Sequence, residues 1–147
     1  YDNESDATDA VNKVWDSGAG YDNFVKMIES QGGDLEASKL KYQNYPQLVV
    51  SSNQEGYLQK VDTLYTGIAG IMLGAGRRDI NDRIDYGAAI ILHSKIGDYI
   101  KKGAPLFTLK SKDQALFGQV ADLLQMSMVI GDEKPIPSKL ILEEWVV

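Results

Sequence analysis

Apolar residues near the start of the chain recur at the spacing of an α-helix. One face of this first helix would carry Ala7, Ala10, Val11, Val14 and Trp15. Ser5 or Asp6 can accept hydrogen bonds from its first backbone amides, and Gly18 and Gly20 are expected to end it. The pattern therefore predicts a short amphipathic helix.

A second helix is predicted directly after the first. Its apolar side consists of Tyr21, Phe24, Val25 and Ile28, and Gly32 with Gly33 would end it in a left-handed turn. Two helices this short cannot bury their apolar stripes against each other alone, so we expect a larger body upstream of them to cover these stripes. Residues 35–45 are polar and aperiodic, which is typical of a linker.

Short strands dominate the pattern after residue 46. Residues 48–50 and 56–61 are predicted strands, and the turn-forming residues 51–53 separate them. Helical spacing returns over residues 64–72, with Asp62 or Thr63 as the N-cap and Gly74 just past the end. Gly67 and Gly70 inside this helix cost about 1 kcal/mol each relative to alanine, so we expect close backbone packing there.

The rest of the chain alternates short strands, tight turns and one further helix. Residues 87–92 are an unbroken apolar run, as in a strand covered on both faces, and residues 95–106 have the Gly-Asp and Lys-Gly pairs of tight turns. Ser111 and Gln114 form a capping box that predicts another helix. Residues 126–130 and 140–147 are predicted strands. The pattern as a whole predicts an α+β domain with short strands and two main helices.

Composition and charge exclude several functions. The chain has 147 residues, of which 44% are hydrophobic, and no apolar run approaches the roughly 18 residues of a membrane span, so we expect no membrane association. No secretion signal is visible, which predicts a cytoplasmic location. A net charge of −6 would repel nucleic acid. The absence of cysteine excludes disulfides, zinc–thiolate sites and thiol nucleophiles.

Several segments together resemble the C-terminal region of thymidine and pyrimidine-nucleoside phosphorylases. The more specific ones are Leu-Gly-Ala-Gly-Arg at residues 73–77 and the Gly-Asp and Lys-Gly-Ala-Pro-Leu elements within residues 95–109. Residues 31–34 are similar to the end of that family's catalytic α/β domain. Further similarity lies at residues 56–58, 61–62, 67–69, 84–85 and 92–93. From about residue 127 onward the similarity is one of residue type only.

The resemblance implies a domain organisation and a reaction. Residues 1–34 would be the helical end of a catalytic α/β domain, 35–45 a linker, and 46–147 a C-terminal α/β-hammerhead-like domain. The intact protein would be a pentosyltransferase in which inorganic phosphate, the co-substrate, attacks C1′ of a pyrimidine nucleoside and releases the base. Its partners would be the nucleoside, phosphate and an N-terminal catalytic portion, and the parent is expected to be a homodimer.

The resemblance assigns no catalytic residue to this chain. In that family, the groups that hold phosphate and base lie in Gly/Ser/Thr-rich loops of the catalytic portion, and this sequence contains no such loop. We therefore assign no catalytic, cofactor-binding or metal-binding residue, and we predict that the chain acts as a structural scaffold. The alternative is a binding or biotinyl/lipoyl carrier module, since Gly97-Asp98 and Lys102-Gly103 also resemble half of a carrier domain.

Two groups of residues around the Leu-Gly-Ala-Gly-Arg element could bind ions. Residues 74–78 could cradle phosphate, but their glycines follow a helix rather than begin one, so a C-cap turn with arginines paired to acids is favoured. Asp79, Asp82 and Asp85 recur every third residue, which does not fit a calcium loop. We expect Asp82 and Asp85 to make turn hydrogen bonds or to pair with Arg77, Arg78 or Arg83.

The remaining candidates are acid–base groups. His93, the single histidine, could be a general base, but no serine or carboxylate is placed by the sequence to work with it, so a structural role is expected. Glu143 and Glu144 are neighbours and would point to opposite faces of a strand, so they are expected to lie on a solvated edge.

Overall fold

The computed structural model describes residues 3–139 and 143, and the chain divides into two compact units. Unit 1 is Tyr1–Asn44 and unit 2 is Tyr45–Val147. The described residues contain five α-helices and two antiparallel sheets of three strands each. The predicted α+β class is therefore confirmed.

From residue 3 onward, unit 1 forms three helices, α1 (Glu4–Asp16), α2 (Ala19–Ser30) and α3 (Leu35–Tyr42). The prediction that Ser5 or Asp6 caps α1 is wrong, because Asn3 Oδ1 accepts the hydrogen bond from the Asp6 amide at 2.9 Å. An asparagine cap serves as well as serine or aspartate, and the sequence offers all three in succession. Gly18 has φ 74°, a left-handed conformation that lets the chain pass from α1 into α2 within two residues.

The segment over residues 35–45 is not irregular, since it contains α3. Asp34 Oδ1 accepts a hydrogen bond from the Ala37 amide at 2.9 Å, and the Ser38 hydroxyl donates to the Asp34 carbonyl at 2.7 Å. Such local capping can start a short helix without an apolar stripe, and α3 has no buried residue. Periodicity could not find a helix of this kind, and its role as a linker stays a prediction.

The described residues of unit 2 form six strands and two α-helices. In chain order they are β1 (Gln47–Ser51), β2 (Gly56–Val61), α4 (Thr63–Leu73), β3 (Ala89–Leu92), β4 (Tyr99–Ile100), β5 (Pro105–Lys110), α5 (Phe117–Met126) and β6 (Met128–Gly131). One sheet has the order β1-β5-β3 and the other has the order β4-β2-β6. The strands predicted at residues 48–50 and 56–61 are therefore confirmed as β1 and β2.

Helix α4 begins and ends where the sequence predicts. Asp62 Oδ1 accepts hydrogen bonds from the amides of Leu64 and Tyr65, and Gly74 closes the helix with φ 99°. The prediction of close packing at Gly67 and Gly70 is wrong, because a Cβ atom added at either position would meet nothing within 4 Å. The sequence could not show this, since only the fold leaves Gly67 exposed and Gly70 half-buried with open space beside it.

The core of unit 2 forms around the central strand β5. Leu106, Phe107, Thr108 and Leu109 are all buried, because β5 is hydrogen-bonded on both sides, to β1 and to β3. One apolar cluster joins the three apolar residues of this set to Leu58 of β2, Leu73 of α4 and Leu124 of α5. Burial of each such side chain contributes roughly 1.5–3 kcal/mol.

Three further predictions for unit 2 need correction or fall outside the described residues. The run at residues 87–92 is not covered on both faces, because β3 is an edge strand and Ile91 and Leu92 are each 43% exposed. The last predicted strand, residues 140–147, lies outside the described residues except for Glu143, which is exposed and has no regular structure. The other C-terminal strand begins at Met128 rather than at residue 126, because α5 extends to Met126.

The capping box at Ser111 and Gln114 is also wrong. Ser111 is buried, and its hydroxyl donates to the Leu73 carbonyl at the end of α4. Asp113 instead caps a short 3₁₀ turn, Gln114–Leu116, that precedes α5. Ser111 Oγ also accepts a hydrogen bond from the Asp113 amide at 3.2 Å, so the serine joins α4 to the turn and Asp113 is the residue that caps it.

Candidate functional site

The Gly74–Arg78 segment is the C-terminal cap of α4. The Gly74 amide donates to the Ile71 carbonyl at 3.0 Å, and the Ala75 amide donates to the Gly70 carbonyl at 2.9 Å. These two amides satisfy carbonyl groups at the negative end of the helix dipole, where a phosphate would be repelled. The interpretation of this segment as a C-cap turn is confirmed.

In the loop that follows the cap, the backbone amides bind the carboxylate of Asp82. Asp82 Oδ2 accepts hydrogen bonds from the backbone amides of Arg78 at 2.9 Å and Asp79 at 3.1 Å, and the Arg78 guanidinium lies 3.8 Å away. The backbone hydrogen bonds from Arg78 and then Asp79 lower the pKa of Asp82 below its ordinary value. The predicted pairing of Asp82 is confirmed, and the amides that could receive phosphate are bonded to this carboxylate.

Asp85 anchors the loop to the body of unit 2. Its Oδ1 accepts hydrogen bonds from the Tyr45 hydroxyl at 2.8 Å and the Gly87 amide at 3.1 Å. Its amide donates to the Gly74 carbonyl. The side chain is only 7% exposed, and Lys112 Nζ lies 3.7 Å from Oδ2. The turn hydrogen bond is as predicted, but the charged partner is Lys112 rather than an arginine.

The two carboxylate oxygens of Asp85 have different partners, since Oδ1 accepts hydrogen bonds and Oδ2 lies near only the Lys112 ammonium. Oδ2 is fully buried and accepts no hydrogen bond from the described residues, although the Lys112 ammonium lies within ion-pair distance. A separation of 3.7 Å is too long for a hydrogen bond, so Lys112 supplies charge without satisfying the oxygen. Because Lys112 is 74% exposed, solvent screens this pair, and the two hydrogen bonds to Oδ1 are the stronger part of the anchor.

The three regularly spaced aspartates do not converge on one point. Asp79 Oδ1 accepts hydrogen bonds from Asn81, Asp82 holds the amides of its own loop, and Asp85 bonds to Tyr45. Within residues 3–139 and 143, no group of three or more histidine, aspartate or glutamate side chains is placed to hold a metal ion. Each carboxylate thus has a separate local task.

His93 is bonded to the central strand. Its Nε2 lies 2.7 Å from Oγ1 of the buried Thr108, and its amide donates to the Leu106 carbonyl at 2.9 Å. The amide bond extends the pairing of β3 with β5 by one residue, and the side-chain contact adds a second bond to β5. The structural role of His93 stays a prediction, and its partner could not be foreseen because Thr108 is fifteen positions away.

The Lys101-Lys102-Gly103 turn differs from the lysine hairpin of a carrier domain. Gly103 has φ 83°, and its amide donates to the Ser52 carbonyl at 2.8 Å. The strands on either side, β4 and β5, belong to different sheets, so the turn is a crossover and not the tip of a two-stranded hairpin. Both lysines are exposed.

The grooves on each unit differ in size and lining. In unit 2, a pocket of about 160 Å³ beside Ser52 and Gln54 is smaller than the roughly 300–1,000 Å³ usual for small-molecule sites. In unit 1, the charged residues that line a groove of about 640 Å³ are four acids and one lysine, a net negative charge that disfavours an anion such as phosphate: Asp22, Lys26, Glu29, Asp34 and Glu36. A second groove of about 550 Å³ is almost wholly apolar and lies between α1 and α2.

The last candidates from the sequence are Glu143 and Glu144, near the C-terminal end of the chain. Glu143 is exposed, and Glu144 lies outside the described residues, so their predicted arrangement stays a prediction. Among the residues that the structure describes, no helix combines the length and the apolar character that crossing a bilayer requires. Tyr45, Thr108 and Lys112 are the polar residues that sequence reasoning missed, because only the fold brings them to Asp85 and His93.

The chain matches the model of a known protein family. The family described as "Pyrimidine nucleoside phosphorylase C-terminal domain" matches residues 57–131 of the 147. The matched segment runs from the second residue of β2 to the end of β6, and it includes both helices of unit 2 and the residues Asp82, Asp85 and His93. It therefore covers most of the core of unit 2.

Proposed function

The chain belongs to the pyrimidine nucleoside phosphorylase C-terminal domain family, and we propose that it is the C-terminal part of such an enzyme, where it acts as a scaffold. The intact enzyme would transfer the pentose of a pyrimidine nucleoside to inorganic phosphate and release the free base. The groups that hold phosphate and base would belong to a catalytic portion outside this chain. Unit 2 would support that portion through its rigidity.

One observation carries the scaffold role. In the matched segment, the polar residues that could perform chemistry are bonded to the fold itself: Asp82 to loop amides, Asp85 to Tyr45, and His93 to Thr108. Phosphorolysis depends on donors aimed at the phosphate and at the leaving base, in a site that excludes water. Residues already occupied in this way support structure better than they support transfer chemistry.

The first experiment measures catalysis by the chain alone. We would incubate it with thymidine or uridine and phosphate and quantify the released base by chromatography. No release above the uncatalysed background is expected, because the phosphate-binding loops are not part of this sequence. Turnover that depends on both phosphate and this chain would contradict the proposed division of labour.

The second experiment examines the scaffold role in a full-length phosphorylase that contains this domain. Phe107→Ala should lower the thermal midpoint and shorten the half-life of activity on warming, because Phe107 is fully buried in β5. At low temperature, KM for phosphate and for nucleoside should be unchanged, because no substrate contact is lost. The exposed substitution Val49→Ala in the same sheet is the matched control. A KM effect without loss of stability would instead indicate direct substrate binding.

The carrier hypothesis has its own test. A biotin or lipoyl ligase would add the mass of its cofactor to Lys101 or Lys102 if the turn were a carrier site. The crossover between the two sheets argues against this, since carrier lysines require an exposed hairpin. An intact-mass measurement after incubation with ligase, cofactor and ATP is expected to show no addition.

A further inference from the structure

Strand β1 has an open edge on the side that faces away from β5. At the two ends of β1, the Pro46 carbonyl and the Ser52 amide form hydrogen bonds with the residues that follow and precede β5. Backbone groups alternate in direction along a strand, so every second residue from Pro46 to Ser52 faces β5. The residues between them direct their amides and carbonyls to the other side, where no described strand pairs with β1: Gln47, Val49 and Ser51.

This edge lacks the features that keep edge strands from pairing. Proteins usually shorten such an edge, place a charge or a proline in it, or cover it with another segment. Strand β1 is five residues long and contains no charged residue, no proline and no glycine. Its one register shift lies at the end, between Val50 and Ser51. We therefore expect another segment to cover it.

The end of β6 brings the C-terminal part of the chain close to β1. Ser51 at the end of β1 and Ile130 in β6 line the same small pocket, to which the other edge strand, β3, contributes no residue. Beyond β6, the Glu133 carbonyl accepts a hydrogen bond from Gln59 Nε2 at 2.8 Å, which holds the chain beside β2. The ten residues 134–143 span at most about 35 Å when extended, roughly twice the length of β1. The residues that follow them can therefore reach the open edge.

We propose that residues 144–147 pair with the open edge of β1 and make its sheet four-stranded. These residues, Glu-Trp-Val-Val, lie outside the described residues, and three of the four favour strands. Glu143 is exposed and belongs to no strand, so the pairing begins after it. A segment that enters beside Ser51 and proceeds toward Gln47 is antiparallel to β1. Both strands lie outside the family match at residues 57–131, so the pair is an addition to the matched domain.

Attachment to the same chain favours residues 144–147 over a strand from another molecule. A short tether gives a segment an effective concentration of about millimolar, so a pairing too weak to join separate molecules can still form within one. A tryptophan in the added strand would also cover part of Val49, whose side chain is 56% exposed. This pairing does not depend on the proposed function, because it concerns residues of this chain alone.

Amide hydrogen exchange of the full chain, followed by NMR, tests the pairing. The amides of Leu48 and Val50 face β5 and serve as an internal control, because they should be protected whatever covers the outer edge. Of the three outward amides, at least two should exchange at least about tenfold more slowly than in an unfolded peptide, since four added residues can bond two of them. Exchange of all three at the rate of an unfolded peptide would overturn the proposal.

Variants identify the covering segment. Removal of residues 144–147 should raise the exchange rates of the protected outward amides at least about tenfold and change those of Leu48 and Val50 less than about threefold. The double substitution Trp145→Pro and Val146→Pro should do the same at full length, because one of these two amides faces β1 in either register. Ile136→Pro is the control, since Ile136 is 93% exposed and lies in no regular element.

Two results would assign the edge to a different strand and overturn the proposal. One is protection of the outward amides that persists in both the shortened chain and the double-proline variant. The other is protection that appears only at concentrations where sedimentation shows a dimer, because the strand would then come from a second copy. Protection that is independent of concentration and lost in both variants supports pairing within one chain.

Discussion

The two units of this chain contain amphipathic helices of similar length, yet only one unit has a core. All twelve buried apolar residues lie in unit 2, from Val50 to Leu124, and the described residues of unit 1 include none. Unit 2 encloses its side chains because two sheets and two helices bring distant segments together. Unit 1 has three successive helices within 44 residues, too few for a closed interior without a partner. An amphipathic pattern thus shows which face must be covered, but not what covers it.

The largest expected effect is the difference between the two units in the stability lost when a phenylalanine is replaced by alanine. Phe107→Ala should reduce the free energy of unfolding by about 3–5 kcal/mol, because it empties space around a fully buried ring. Phe24→Ala should cost less than about 1 kcal/mol, because that ring is 45% exposed. Urea denaturation followed by circular dichroism measures both, at concentrations where the chain is monomeric. Equal losses would show that unit 1 has a core after all.

A smaller effect measures how much the contacts of Asp85, which anchor the loop after α4, contribute to the stability of unit 2. Asp85→Ala should cost about 2 kcal/mol, because it removes two hydrogen bonds from a buried carboxylate, and Tyr45→Phe about 1 kcal/mol. Lys112→Ala should cost well under 1 kcal/mol, because the lysine is largely exposed and lies 3.7 Å away. The same urea experiment gives the order. A larger loss for Lys112→Ala than for Tyr45→Phe would show that charge dominates the anchor.

Two glycines of the α4 region should respond to alanine with opposite signs. Gly67→Ala should raise the free energy of unfolding by about 1 kcal/mol, because a Cβ atom meets open space in a helical backbone. Gly74→Ala should lower it by about 1–2 kcal/mol, because Gly74 has φ 99° and its Cβ atom would lie 3.3 Å from that of Asp85. Thermal unfolding of the two variants measures the sign of each stability change. Destabilisation by Gly67→Ala would indicate that something packs on this side of α4.

The smallest effect is the pH response of Asp82. Because its pKa is lower in the folded chain than in the unfolded one, its ionised form contributes stability above the unfolded pKa. That contribution is lost as the pH falls through the folded pKa. An NMR titration should give Asp82 a pKa below that of an aspartate in an unfolded peptide, and the amide signals of Arg78 and Asp79 should titrate with it. Asp82→Asn should abolish those amide shifts, whereas a normal Asp82 pKa would contradict the loop structure.

Local signals in the sequence predicted much of unit 2. Strand β2 and helix α4 were accessible because their signals are local: alternation, an aspartate cap and a terminal glycine. The capping box at Ser111 and Gln114 failed because Ser111 Oγ accepts from the Asp113 amide, and Asp113 itself caps the turn that begins at Gln114. The prediction that residues 87–92 form a strand covered on both faces failed. A run of apolar residues looks the same in a central strand and in an edge strand that covers a core on one face.

In the candidate site too, contacts between near neighbours could be predicted from the sequence and contacts between distant residues could not. The turn at Gly74 and the pairing of Asp82 lie within a few residues of their partners, so sequence spacing was sufficient to predict them. The anchor between Asp85 and Tyr45 spans 40 positions, and the bond from His93 to Thr108 spans 15, so no local pattern contains them.

By itself, the sequence determined the class of fold, the ends of α4, the charge and the family resemblance, because each depends on residues close together or on composition. Only the tertiary structure decided which strands are central, which carboxylate is buried and which apolar faces remain uncovered. The physical reason is that burial and hydrogen-bond partnership depend on distant segments meeting in space, and their free energies depend on the surroundings that the fold provides.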